Sequence, residues 1–380
     1  MLAPFASGAE HQTLALCRYL GPSADIHFLT NDEFADLLRS DPFLRGYVGG
    51  LRVVRLGPAF PVPRASSIQG ALQRVWCYSR LQMKLWRTLA TIRPSLVHLI
   101  LAPSFFAYGP LFHLTHWPTV VTLAGEMRYV RHFYGAAKRL ATLHAVAQAK
   151  ALVACSADEL ANLEAVAPGA GRKATVLDNF TDVARFAPTP VKEALVTFAA
   201  RLHPEKGALL FLSAAAGVHR QQPAARFALM GRGEQEQEVA GRIAQLGLGG
   251  VVTRGFATDL APLYARSSIF VSCQQLENLG SSSLLEAMAS GNAIVATAVG
   301  STAQIVDETV GLLVRPEEEA LGEAIAALLA DPARCAVLGA AARQRVLDRY
   351  APKAYVARLL AIYEQVGLVP AKTLVPARRR

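Results

Sequence analysis

Acidic residues are few beside basic ones: 29 Asp and Glu against 39 Lys and Arg give a formal net charge of +10. That excess suits an acidic partner, whether nucleotide, nucleic acid or anionic lipid. No basic segment carries the interleaved aromatics of a nucleic-acid module, so nucleic acid is not expected as a partner. Cysteine is sparse. Cys17, Cys77, Cys155, Cys273 and Cys335 stand far apart with no C-x-x-C, which argues against a disulfide frame or zinc site and fits reduced core thiols in a cytoplasmic protein. Asp and His form no clustered ligand set, so no metal is expected. Hydrophobic residues make up 52% of the chain, yet no apolar run approaches the roughly 18 residues that span a bilayer. Residues 1–5 lack a basic segment followed by an apolar core, so no signal peptide is expected. With 380 residues, the chain has room for two or more domains, each with its own core.

What is present centres on residues 277–291, Glu-Asn-Leu-Gly-Ser-Ser-Ser-Leu-Leu-Glu-Ala-Met-Ala-Ser-Gly. Apolar strand runs lie on either side, at 269–272 and 293–297. A Gly/Ser turn, a helical pattern and Gly291 at the C′ position complete a strand–turn–helix–strand unit, the local mark of a parallel sheet. Such a turn lies at a strand's carboxyl end, where open α/β sheets bind ligands. A helix starting near Ser281 to Ser283 would offer free N–H groups and a dipole to a diphosphate. Ser283-x-x-Glu286 also fits a capping box, which would explain both residues without a ligand.

The rest of the chain repeats this alternation. Gly8-Ala9-Glu10 opens a helical pattern with only a few residues ahead of it. Strand runs follow at 25–30, 51–56, 95–101, 119–123 and 151–156, with 175–180 closing the first half. Residues 68–92 are helical by periodicity, with Val75, Tyr78, Leu85 and Leu89 on one face and Arg80, Lys84 and Arg87 opposite. That basic side is either solvated or a membrane or acceptor surface. A further helix spans about 134–149. Pro188 and Pro190 mark a linker. Strands at 195–200, 226–230 and 251–253 then lead into Arg201-Leu202-His203-Pro204-Glu205-Lys206-Gly207, Gly231-Arg232-Gly233 and Arg254-Gly255-Phe256. Helical stretches near 317–329, 332–350 and 355–366 precede a tail carrying Lys372, Arg378, Arg379 and Arg380.

Five segments in order resemble the retaining GT-B glycosyltransferases of family 4. They are Ala200-Arg201-Leu202 with Lys206-Gly207; Gly231-Arg232-Gly233; Arg254-Gly255-Phe256 with Leu260, Leu263 and Tyr264; the 277–291 motif; and Val299-Gly300 leading to Gly311-Leu312-Leu313-Val314. Any one is weak, whereas the ordered set is specific. Gly8-Ala9-Glu10 is similar to the family's glycine loop, and 175–186 to the segment that closes its N-terminal domain.

The resemblance implies an α/β GT-B fold: two Rossmann-like domains with parallel sheets facing across a cleft. Residues 1–187 would form the acceptor-side domain, and 188–350 the nucleotide-sugar domain. A helix at about 351–367 would pack back on the first domain, ahead of a basic tail at 368–380. It implies transfer of a hexose from a nucleotide sugar to a hydroxyl of a polysaccharide or lipid-linked glycan, with retention and with no cofactor beyond the donor itself. Arg201 and Lys206 would neutralise the diphosphate. Glu277 or Asn278 would hold the sugar. Leu279, Gly280 and the amides of Ser281 and Ser282 would line the phosphates, Glu286 would accept the ribose hydroxyls, and Gly231, Gly255 and Phe256 would border the base. Glu277 and Glu286 stand nine apart, one more than the family's usual spacing, so either Glu277 or Asn278 can be the sugar contact. Ala124 stands where the family has a strand-end histidine; Glu126 is the candidate substitute. Gln304 stands where an acid is common. The alternatives are an epimerase or hydrolase on the same fold, or a weakly active nucleotide-sugar-binding subunit that supports a partner. The expected location is cytoplasmic, peripheral at the inner membrane face, with an anionic membrane surface as a further partner.

Overall fold

A computed structural model describes residues 8–58, 68–100, 102–132, 134–276 and 280–368. They divide into two compact units: residues up to Asp178 together with those from Tyr355 onward, and Asn179–Ala354.

In the first unit β1 (His27–Thr30) and β2 (Arg52–Arg55) pair in parallel. Beside them in sequence, β3 (Val97–Ile100), β4 (Thr119–Leu123), β5 (Ala151–Ala154) and β6 (Ala174–Val176) form a four-stranded parallel sheet in chain order. Every residue of β4 is buried, as a continuous apolar run in a parallel sheet covered on both faces should be. Leu99, Val121, Leu123 and Leu152 pack with Phe105, Met127 and with Leu85 and Leu89 of the helix Ile68–Ile92. The helix Pro352–Gln365 sends Tyr363 to this sheet: its hydroxyl lies 2.6 Å from His98 Nδ1, and His98 Nε2 lies 2.7 Å from Thr122 Oγ1. Burial lowers the His98 pKa to about 4, so the ring is a neutral bridge.

Three local expectations change. Helices Asp32–Ser40 and Pro42–Val48 are additional, capped by Asn31 and Asp41, whose side chains accept from Phe34 N and from Phe43 and Leu44 N. A further short helix, Glu126–His132, is also additional, and it precedes the helix expected over 134–149, which is present as Ala136–Gln148. Val75 does not share the buried face of Leu85 and Leu89; it is 64% exposed.

The second unit has one six-stranded parallel sheet, built from β7 (Glu193–Ala199), β8 (Arg226–Met230), β9 (Val252–Gly255), β10 (Ser267–Ser272), β11 (Ala293–Thr297) and β12 (Gly311–Val314). Their order is β12-β11-β10-β7-β8-β9. This is the doubly wound arrangement, and the order reverses between β7 and β10, the switch point where such sheets bind ligands. Side chains alternate between the two faces. Ile269 and Val271 join Phe198, Phe211 and Phe227 under the helices Ala208–Gln221 and Glu318–Ala330. Phe270 joins Leu284, Leu285, Met288 and Val346 on the other side.

The division falls at Asp178/Asn179, ahead of the expected linker at 187/188. The reason is what residues 179–192 touch. Thr181 N donates to Tyr350 O (3.0 Å), Arg185 pairs with Asp259 (2.5 Å), and Phe186 is buried among Tyr264 and its neighbours. Lys192 Nζ donates to Ser267 O (2.7 Å), Ser290 O (2.9 Å) and Asn292 Oδ1 (2.6 Å). The prolines lie inside the second unit. Among the described residues, no single helix is long and apolar enough to cross a membrane.

Candidate active site

The carboxyl ends of four adjacent strands in the second unit are joined by main-chain hydrogen bonds. Gly231 N donates to Gly255 O (2.9 Å), linking the loop after β8 to the end of β9. Leu202 N donates to Arg232 O (2.8 Å), linking the loop after β7 to that after β8. Gln275 N donates to Glu205 O (2.9 Å), linking the loop after β10 to that after β7. The result is one continuous rim across the switch point.

Glycine is required where these loops touch. A Cβ on Gly231 would strike the Ala200 carbonyl, and one on Gly233 the Leu202 carbonyl. Gly207 has φ +73°, and a Cβ there would meet the Cys273 carbonyl. At Gly255 a Cβ would meet only Met230 Sδ at an ordinary 3.6 Å.

Two of the expected charges sit on this rim. Pro204–Lys206 forms a 3-10 turn and Gly207 starts the helix Ala208–Gln221. Arg201 is more than half exposed, and its Nη2 lies 3.3 Å from Glu205 Oε1. Glu205 is buried and also lies 3.7 Å from His203 Nδ1. Lys206 Nζ donates to Gln274 Oε1 (3.1 Å), and Thr297 Oγ1 holds the Gln274 main-chain oxygen at 2.5 Å. Further round, the Arg232 guanidinium carbon lies 4.6 Å from the Phe256 ring centroid, a cation–π contact.

The helix Ser282–Ala289 starts beside Gly280, whose φ is +76° and whose carbonyl accepts from Asn179 Nδ2. Its cap is Ser281, which accepts from Leu284 N (3.4 Å), so the capping box centred on Ser283 is not the one formed. Glu286 lies instead within the helix, buried. Burial raises its pKa to about 7, with Asp259 adding to the rise and Arg185 opposing it. The helix ends as a Schellman-type turn, with Gly291 at φ +72° and Asn292 N donating to Ala287 O (3.1 Å). Glu277, Asn278 and Leu279 lie outside the described residues.

In the first unit, Gly8 is the first residue of the helix Gly8–Leu20. Glu126 is buried, and its carboxylate turns back to accept from Ala124 N at the start of its own helix. Glu159, fully buried, accepts from Gly125 N (3.2 Å) and Met127 N (2.9 Å). The amides at the end of β4 are therefore held by two carboxylates.

Glu205, Gln274, Arg185 and Asp259 were not singled out from the sequence. Glu205 had a visible signal, lying between Arg201 and Lys206. Asp259 had none, since its partner Arg185 is remote along the chain.

Residues 180–345 match the family model of glycosyl transferases group 1, and residues 7–179 match that of the glycosyl transferase 4-like domain. The chain belongs to this family: it is a GT4-like, group 1 glycosyltransferase of GT-B fold. Among solved structures it is similar to a sucrose-phosphate synthase from Thermosynechococcus elongatus, at 22% identity and TM-score 0.75 over 95% of this chain and 94% of that one. It is likewise similar to Anabaena HepE in complex with UDP-glucose, at 19% identity and TM-score 0.78 over 96% and 97%. Among curated proteins there is no match.

Proposed function

We propose that the protein transfers a hexose from a nucleotide sugar to a hydroxyl of a glycan or lipid-linked acceptor, with retention at the anomeric carbon. The observation that carries this reading is the switch-point rim, where Arg201 and Lys206 stand on one loop and a helix N-terminus follows the next. Diphosphate would sit against those positive ends. In the transition state charge builds on the leaving nucleoside diphosphate, and preorganised cations lower that barrier. Arg201 and Lys206, rather than a metal ion, supply this charge in our reading, with Glu205 and Gln274 fixing their positions. The donor phosphate takes the acceptor proton, so no protein base is assigned.

Ser281 and Ser282 amides face the phosphates, with Leu279 and Gly280 beside them. Glu286 accepts the ribose hydroxyls. Gly231, Gly255 and Phe256 border the base. Glu277 or Asn278 holds the transferred sugar. UDP-glucose in the HepE structure supports a nucleotide sugar as donor. The net charge of +10 supports a protein that is peripheral at an anionic membrane, and the five separated cysteines support a cytoplasmic one. A second reading, a weakly active nucleotide-sugar-binding subunit, is favoured by Ala124 in place of a histidine.

Released nucleoside diphosphate, measured with and without acceptor extracts, is the test. Arg201→Ala and Lys206→Ala should each lower turnover on the order of 10²-fold with the fold intact. Glu277→Gln and Asn278→Ala should differ, the larger loss marking the sugar contact. Near-normal turnover in the Arg201 and Lys206 variants would defeat the diphosphate assignment. Donor binding without transfer in any extract would favour the subunit.

A further inference from the structure

The helix Ile68–Ile92 runs 25 residues without one acidic side chain. Its inner face is fixed. Leu85 and Leu89 are buried in the first unit's core, Tyr78 Oη donates to Phe106 O (3.0 Å), and Gln82 Nε2 donates to Ala107 O (2.6 Å). Helical spacing of about 100° per residue then places Val75, Trp86, Met83 and Trp76 in sequence round the outer face, followed by Arg87, Arg80 and Lys84. Trp76, Met83 and Trp86 are 58%, 54% and 46% exposed. Arg87, Arg80 and Lys84 are exposed as well. Arg80 lies over the Trp76 ring, with Cζ 4.6 Å from the centroid.

A helix turned to water usually mixes charges of both signs and keeps large apolar groups inside. This face does neither. An apolar strip with two tryptophans runs beside a strip of one charge sign. That is the composition of a helix lying in the plane of a bilayer surface, with rings at headgroup depth and cations against lipid phosphates. An acidic protein partner would match the charge but not the long apolar strip.

We propose that this face docks the protein on an anionic bilayer, with Trp76, Met83 and Trp86 entering the headgroup layer and Arg80, Lys84 and Arg87 binding lipid phosphates. The proposal rests on the reading of a membrane-associated acceptor, and names the surface that would bring the enzyme to it.

Flotation with phosphatidylglycerol/phosphatidylcholine vesicles and with pure phosphatidylcholine vesicles tests it. At low salt the wild type should float with the anionic vesicles only, its tryptophan emission shifting to the blue, and should be released at high salt. Each basic charge at such a surface is worth roughly fivefold in partitioning. Combined Arg80→Gln, Lys84→Gln and Arg87→Gln should therefore lower vesicle binding on the order of 100-fold. Trp76→Ser with Trp86→Ser should lower it at least tenfold and remove the blue shift. Both variants should unfold at the wild-type temperature and release nucleoside diphosphate at the wild-type rate with a soluble acceptor.

Equal flotation with neutral vesicles would overturn the proposal. So would binding that survives both variants, which would assign adsorption to the basic tail. A concentration-dependent dimer that both variants abolish, with no vesicle binding, would make the face a contact between copies. Vesicle binding without sugar transfer would instead refute the enzymatic reading and leave the surface standing.

Discussion

Glu286 sets two demands of the second unit against each other, and the conflict is measurable. Its carboxyl is buried beside Asp259, and its pKa rises from the ordinary 4.5 to about 7, burial being the larger cause. In the unfolded chain the group ionises near pH 4.5, whereas in the fold it keeps its proton until about pH 7. The unfolded state thus holds fewer protons between these values, and stability falls as pH rises through that window, then levels. Displacing a pKa by one pH unit corresponds to about 1.4 kcal/mol, so the full effect is about 3 kcal/mol. Glu286→Gln removes the titration while keeping shape and hydrogen-bonding capacity. Relative to wild type, the variant should gain about 3 kcal/mol in the second unit between about pH 4.5 and about pH 8. Amide hydrogen exchange of peptides covering 282–297, compared at matched pH, isolates this from intrinsic exchange chemistry. A wild-type-to-variant difference that does not change with pH would refute the assignment of a buried, protonated carboxyl. In the proposed role, the same variant should bind donor more weakly, most of all above about pH 7, where the wild-type carboxylate is ionised and accepts ribose hydroxyls best.

Two further outcomes follow from the geometry. His98 has a pKa lowered from 6.5 to about 4, so the neutral ring's contribution is complete above pH 6.5 and is lost as pH falls toward 4. His98→Gln should flatten the acid sensitivity of the first unit, by up to about 3 kcal/mol. Trp76, Trp86 and Trp117 all lie in that unit, so tryptophan fluorescence during acid unfolding reads it, and an unchanged acid midpoint would count against the bridge. Gly207→Ala should destabilise the second unit by about 1–3 kcal/mol and weaken nucleotide binding, because positive φ and the nearby Cys273 carbonyl both oppose a Cβ. Wild-type affinity by calorimetry would show that the rim tolerates the displacement.

The strands were legible because parallel strands buried on both faces must be runs of apolar residues. The runs at 119–123, 269–272 and 293–297 became β4, most of β10 and β11. The charged loop 200–207 was legible through its glycine and paired cations. Strand order was not: nothing local in β7 or β10 says that they are neighbours, since their pairing joins residues some seventy positions apart. Glu286 shows the same limit. Its spacing from Ser283 matched a capping box, but Ser281 took the cap, and the carboxyl's surroundings come from Arg185 and Asp259 on other segments. The domain division was misplaced for a related reason. Prolines mark where a chain resists regular structure, whereas a unit is bounded by what residues touch, and Thr181, Arg185 and Phe186 touch the second unit. The exposed tryptophans of the helix Ile68–Ile92 were hidden by reading Val75 as core. Val75 lies about 60° round the helix from Tyr78, close enough to share its stripe by pattern and far enough to leave the protein surface.

The chain keeps the fold of solved structures with which it shares about a fifth of its residues, and the bonds that hold its own rim make few demands on side chains. Its three cross-links, Gly231 to Gly255, Leu202 to Arg232 and Gln275 to Glu205, are all main-chain to main-chain. Any non-proline residue can supply them. Among the rim's described glycines, Gly207, Gly231 and Gly233 leave no room for a Cβ. The fold at the rim thus leans on main-chain bonds and three glycines more than on the identity of an exposed side chain such as Arg201. In the proposed reading, such a scaffold holds the loops that carry the diphosphate cations, while the residues that select a sugar project from it. Under that reading, sugar selection should be sought in the residues that follow β10, where Glu277 and Asn278 stand in the sequence, rather than in the sheet beneath them.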